Sequence, residues 1–144
     1  EVLDIPDIGS MSSTHSANPI VCAAGKANLE CLFDDGLIEA SRDLGKFFHE
    51  ELEKIRCRFG DYLNWIEGKG LLAALIFKDQ NGKPLSSLCD AIAERCMQSG
   101  LLVVHTGRES IKLAPPLSIS REAMLEGLNV LEQSIASSIS ESEQ

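Results

Sequence analysis

Residues 62–84 read YLNWIEGKGLLAALIFKDQNGKP, and this stretch decides the architecture. Tyr62, Leu63, Trp65 and Ile66 form a short strand candidate, and Gly68-Lys69-Gly70 is a tight break after it. Leu71 to Phe77 is then an unbroken apolar run of seven residues. Such a run is too short for a typical helix, and apolar side chains on both faces fit a central strand. Asp79-Gln80-Asn81-Gly82-Lys83-Pro84 turns the chain, because these residue types supply the dihedrals and local side-chain bonds that turns need.

Helices flank this pair of strands on both sides. Upstream, apolar positions at Leu37, Ala40, Leu44, Phe47 or Phe48, Leu52 and Ile55 follow a 3.6-residue period, and Gly60 ends the segment. His49 falls at a polar position of that helix and reads as solvent-facing. Before it, Asn18-Pro19 is a helix start, with Asn as the cap and Pro in the first turn, where its missing donor costs nothing. The helix that follows is rich in small and apolar residues nearly all round and stops at Asp34-Asp35-Gly36. Downstream, Ser86 or Ser87 caps a helix carrying Leu88, Ile92 and Cys96 on one face, and Gly100 closes it. Leu101–Val104 and Ser110–Leu113 are third and fourth strand candidates, and Pro115-Pro116 blocks further ladder bonding. Ser120 caps a last helix with its stripe at Met124, Leu128, Leu131, Ile135 and Ile139, and the polar tail from Ser140 is expected to fray. Residues 1–17 read as a loop, with a short strand or turn near Val2–Ile5. A small sheet covered by helices, an α/β (α+β) layer structure, is the economical packing of this order.

The 144 residues, 44% hydrophobic and 24% charged, allow one domain with a real core. With 22 acidic against 13 basic residues the formal charge is -9, which argues against a nucleic-acid partner. The longest apolar run falls far short of a membrane span, and no basic-then-apolar leader opens the chain. The five cysteines, at 22, 31, 57, 89 and 96, show no short Cys-x-x-Cys spacing and read as small buried thiols in a reducing compartment, by default the cytosol. Two features sit badly with an autonomous domain. A long loop precedes the first helix, and that helix wants neighbours on more sides than the chain supplies. Both point to a polypeptide that continues upstream or to a partner replacing what is missing, and Glu1 in first position fits a processing site or a break in a longer protein.

Few residues carry chemistry on their own. Ser10-Met11-Ser12-Ser13-Thr14-His15-Ser16 leads into the capped helix start, and hydroxyls and loop amides there are able to hold a phosphate; a solvated serine-rich turn reads equally from the residues. Gly68-Lys69-Gly70 lacks the spacing and the following hydroxyl of a phosphate loop. His15, His49 and His105 are far apart and do not form a metal set, and no nucleophile, base and orienter come together. The segment His105-Thr106-Gly107-Arg108-Glu109 is a polar turn able to border a site. Lys112, between Ile111 and Leu113, is either a cleft lysine that pairs with a carboxylate or an edge-strand charge that discourages aggregation.

Three collinear motifs resemble the class-III pyridoxal-phosphate aminotransferases of fold-type I. Met11-Ser-Ser-Thr-His-Ser-Ala-Asn-Pro-Ile-Val-Cys-Ala-Ala24 is similar to that family's Gly-Ser-Thr-(Phe or His)-x-Gly-Asn-Pro and its alanine-rich helix. Ile66-Glu-Gly-Lys-Gly-Leu-Leu72 is similar to Val-Arg-Gly-x-Gly-Leu, and Ile111-Lys-Leu-Ala-Pro-Pro-Leu-Ser-Ile119 to Ile-(Arg or Lys)-Leu-x-Pro-Pro-Leu-x-Ile. The resemblance implies the C-terminal third of such an enzyme. Residues 1–35 would be a loop and helix of the large-domain and dimer-interface region, 36–140 a small domain with a mostly antiparallel sheet covered by helices, and 141–144 a frayed tail.

The resemblance also implies roles. The parent would transfer an amino group between an amine or amino acid and a 2-oxo acid, as a cytoplasmic homodimer with neither nucleic-acid nor membrane partners. Its Schiff-base lysine, and the aspartate that pairs with the pyridine nitrogen, would lie upstream of Glu1. This chain would then carry no catalytic residue, be inactive alone and bind no pyridoxal phosphate specifically. Thr14, with Ser13 beside it, would reach the cofactor phosphate across the dimer interface. Lys112 would hold a substrate carboxylate, where other members carry an Arg that forms paired bonds. Glu67 stands where the family often has Arg, and Ala17 where it often has Gly, a minor change unless the loop needs a positive φ. The competing reading is a stand-alone, non-catalytic domain that binds an anion or a protein.

Overall fold

The computed structural model describes residues 17–105 and 107–142, so Val2–Ile5, Ser13, Thr14 and His15 lie outside the described residues. The chain divides into two compact units between Gly36 and Leu37.

The described part of the first unit is one helix, α1 (Pro19–Asp34). Asn18 caps it as expected, its side-chain oxygen accepting from the backbone N–H of Ile20 at 2.9 Å and of Val21 at 3.4 Å. No residue of α1 is buried. Ile20, Val21, Leu29 and Phe33 are all largely exposed.

The second unit is a four-stranded antiparallel sheet with helices on one face. Its elements are α2 (Leu37–Arg58), β1 (Leu63–Lys69), β2 (Leu72–Phe77), α3 (Ser86–Gln98), β3 (Val104–His105), β4 (Ser110–Leu113) and α4 (Arg121–Ser142). The strand order is β1-β2-β4-β3, which makes β2 a central strand as its composition predicts. Ala73, Leu75 and Phe77 of β2 and Ile111 and Leu113 of β4 point to the helices. There they meet Phe48, Leu52 and Ile55 of α2, Leu88, Cys89, Ile92 and Cys96 of α3, and Met124, Leu128, Leu131 and Ile135 of α4. The small α+β fold with a mostly antiparallel sheet is therefore as the sequence implies.

The departures have local causes. β1 does not stop at Gly68 but pairs on through Lys69 with Leu72, so the turn is Gly70-Leu71, with Gly70 at φ +60°. Here α2 touches the hairpin: a Cβ on Gly45 would lie 2.6 Å from Gly70 Cα. α3 starts after Leu85, and neither Ser86 nor Ser87 caps it. The third strand begins at Val104 rather than Leu101 because the end of α3 claims the preceding residues. Leu101 N–H donates to the Cys96 carbonyl at 2.8 Å and Gly100 N–H to that of Met97 at 3.1 Å, a Schellman closure with Gly100 at φ +86°. His49 is not a free surface residue: it is half-buried, its ring stands edge-on to Phe48 and its Nε2 is buried. Ser120 caps α4, accepting from Ala123 N–H at 3.1 Å, and the helix continues to Ser142, past the point where fraying is expected.

Candidate functional site

Lys112 lies on the sheet face opposite the helices. Alternation along β4 buries Ile111 and Leu113 and leaves Lys112 exposed between them. Cross-strand pairing sets it in a row with Glu67 of β1, Ala74 of β2 and Val104 of β3. The lysine is thus not on an edge strand, since β4 lies between β2 and β3, and the edge-strand reading of its charge is corrected. Ala74 is the small residue between Glu67 and Lys112. Two strand spacings separate those backbones, roughly 10 Å, within reach of one bound molecule contacting both side chains. Among the described residues Lys112 has no ion-pair partner.

The rest of this face is apolar with a basic bias. Trp65 pairs with Ile76 and Lys69 with Leu72, while Lys78 places its Nζ 4.9 Å from the centre of the Trp65 ring. Trp65, Leu72 and Val104 are each about half exposed, at 41%, 52% and 50%. Three lysines (69, 78 and 112) against one glutamate line the face of a chain whose formal charge is -9. An anionic group is favoured here relative to the rest of the surface.

β3 and the turn after it border the Lys112 row. The ring of His105 has Nδ1 2.6 Å from Asp90 Oδ1 on α3 and Nε2 2.9 Å from the Arg108 carbonyl oxygen. The polar turn predicted at 105–109 is thus anchored, and the anchor at Asp90 had no local signal, because a contact between a helix and a distant turn leaves no spacing to read. Beside Asp90, the Cys89 thiol is pushed up to about 12, by burial first and then by the negative charges of Asp90 and Glu109. Burial also raises Cys96.

Past the end of β4, at Pro115-Pro116, a cavity of about 250 Å³ opens between the strand end, α2 and α4. Phe48, Leu113, Pro115, Met124 and Leu128 are among its lining, which contains no titratable group. Among the described residues no cluster of His, Cys, Asp or Glu fits a metal ion, and no helix is long and apolar enough to cross a membrane. Nor do these residues enclose pyridoxal phosphate. The cavity at the end of β4 is apolar, and every described lysine is exposed except Lys78, which is half-buried against Trp65. Lys112 offers a charged contact from one side only; Ser13 and Thr14 lie outside the described residues.

Comparison with known proteins supplies the wider frame. Residues 1–135 match the family described as aminotransferase class-III. The mitochondrial ornithine aminotransferase of Oryza sativa subsp. japonica is 36% identical over 120 residues, which are 82% of this chain and 24% of that protein. An alanine/serine racemase of Pyrococcus horikoshii is 30% identical over 137 residues, 94% of this chain and 28% of the racemase. The crystal structure of an aminotransferase from Vibrio fluvialis in its PMP-bound form superposes with a TM-score of 0.82 at 27% identity, covering 97% of this chain and 30% of that one. The chain thus spans about a quarter to a third of the relatives it matches.

Proposed function

The chain belongs to the class-III aminotransferase family, and from that membership we propose that it is the C-terminal part of an enzyme that moves an amino group between an amine or amino acid and a 2-oxo acid with pyridoxal phosphate. Residues 1–35 belong to the region where the large domain meets the dimer partner, and the second unit is the small domain. The complete enzyme is a cytoplasmic homodimer. The cofactor is held mainly by residues outside this chain, so the chain by itself transfers no amino group. Lys112 contributes the contact to a substrate carboxylate, and Thr14, with Ser13, donates to the cofactor phosphate of the partner subunit.

One observation carries the reading. The family match spans residues 1–135, a range that includes Ser13, Thr14 and Lys112. The exposed, basic setting of Lys112 is consistent with a carboxylate contact, for which a lysine is a point charge rather than a planar fork. Racemisation is the second reading, favoured by the Pyrococcus relative that matches 94% of the chain. Conversion of an L-amino acid to its enantiomer without a 2-oxo acid acceptor distinguishes it from transfer.

The experiment compares the 144-residue chain with the complete enzyme, each supplied with pyridoxal phosphate, an amino donor and a 2-oxo acid. Turnover is expected from the complete enzyme only; turnover by the chain alone overturns the reading. In the complete enzyme, Thr14→Ala removes one bond to a charged acceptor. It should weaken cofactor affinity about ten- to a hundredfold. Unchanged affinity removes Thr14 from the phosphate site.

A further inference from the structure

β3 consists of Val104 and His105 alone. Two residue pairs, Val104 with Lys112 and His105 with Ile111, are a weak hold for a strand at a sheet edge. The His105 side chain supplies the rest. It reaches α3 through Asp90 and the following turn through the Arg108 carbonyl, at 2.6 Å and 2.9 Å. The ring thereby ties β3 at once to the helical layer and to the segment that enters β4. That segment is fastened at its far end, where Phe77 N–H donates to the Glu109 carbonyl at 2.7 Å. The outward residue of β3, Val104, is the neighbour of Lys112 on the side away from Ala74. If β3 lifts, β4 becomes the edge of the sheet and Lys112 loses the wall that confines it on that side.

We propose that His105 is a positioning residue for Lys112: bonded to Asp90 and to the Arg108 carbonyl, it clamps β3 against α3 and so keeps the lysine seated between Ala74 and Val104. The inference rests on the reading of Lys112 as the contact to a substrate carboxylate. Asp90 is 69% exposed, so Asp90→Ala removes the carboxylate without opening the core.

The test has two arms. In the 144-residue chain, amide hydrogen exchange of Asp90→Ala should rise about ten- to a hundredfold at residues 103–105 and 107–113, the worth of one bond to a charged group. Exchange in β1 should not change. His105→Phe, which keeps the ring volume, should do the same, and the double variant should add little to either. An equal rise throughout the sheet, or no rise, overturns the clamp. In the complete enzyme, Asp90→Ala should raise KM several-fold for a donor bearing a carboxylate, leaving kcat and the KM of a neutral amine donor unchanged. Lys112→Ala, measured alongside, separates the two claims. If it leaves the carboxylate donor unaffected, the reading of Lys112 fails and the positioning role falls with it. If it raises that KM and Asp90→Ala does not, the positioning role alone fails.

Discussion

Ala17 holds a φ of +57°, the one non-glycine residue with positive φ among those described. The loop entering α1 therefore needs the left-handed conformation that a glycine adopts freely, and the Ala at a position where the family often has Gly is not a neutral exchange. A side chain in that region costs about 1–2 kcal/mol, while glycine gives back roughly 0.5–1 kcal/mol through its freer unfolded chain. Ala17→Gly should stabilise the start of α1 by the difference, about 0.5–1 kcal/mol, read as two- to fivefold slower exchange at Ile20 to Cys22. Faster exchange would mean that the strain is not relieved there. The cysteines divide in the same residue-by-residue way. The expectation of buried thiols holds for Cys89 and Cys96 alone; Cys22, Cys31 and Cys57 are exposed, so an alkylating reagent should label three thiols in the folded chain and five after unfolding. Cys89 has a pH consequence as well. Its thiol titrates near 12 when folded and at the ordinary 9.0 when unfolded, so between these values the unfolded chain binds fewer protons. Stability should then fall as pH rises from 9 toward 12, and Cys89→Ala should remove that part of the slope in urea midpoints. An unchanged slope would locate the alkaline loss in other groups.

Elements were legible in proportion to how local their signals are. The cap at Asn18 and the serine at 120 act within a few residues and stand as read. The α2 stripe and the run Leu71–Phe77 hold in their main part: Phe48, Leu52 and Ile55 are buried while Ala40 is exposed, and the strand starts at Leu72. The β1–β2 turn was misplaced because its position depends on a contact between elements. Gly70, not Gly68, takes the corner where the backbone of α2 at Gly45 comes against it. That contact makes a sharp prediction. In an exposed helix Gly→Ala gains about 1 kcal/mol in propensity, but at Gly45 the added Cβ meets rigid backbone at 2.6 Å, and overpacking of this kind costs about 1–3 kcal/mol or more. Gly45→Ala should lower the stability of the second unit by about 1–2 kcal/mol in urea unfolding, with the slope against denaturant preserved. Gly25→Ala in α1, where an added Cβ has nothing within 4 Å, should instead raise helix content. A stabilising Gly45→Ala would show that the hairpin is free to move away. Lys112 teaches the same lesson at the site. Its exposure follows from alternation along β4, but its neighbours Ala74 and Val104 follow from strand order, which no spacing in the sequence encodes.

On the scale of the whole molecule, the second unit buries a core shared by three helices and the sheet, while no residue of α1 is buried. Ile20, Val21, Leu29 and Phe33 are exposed at 79%, 59%, 55% and 69% on a helix with no buried face. A helix apolar on several sides is an interior helix by composition. In the enzyme proposed above, residues outside this chain would cover these side chains. Isolated in water, such a helix should seek apolar cover on a second copy. Covering four side chains is worth about 6–12 kcal/mol at roughly 1.5–3 kcal/mol each, against about 4–15 kcal/mol for lost rigid-body freedom. The near balance predicts weak, concentration-dependent association rather than a defined tight oligomer. Light scattering across a concentration series should show the mean mass rising, and Ile20→Glu with Phe33→Glu should flatten the rise by placing two carboxylates on the helix. If residues 1–35 form the proposed interface, the same double substitution in the complete enzyme should cost stability, because it forces charges into an apolar contact. A strict monomer at every concentration, with α1 still helical, would show that the helix tolerates water and would remove the interface role from residues 19–34.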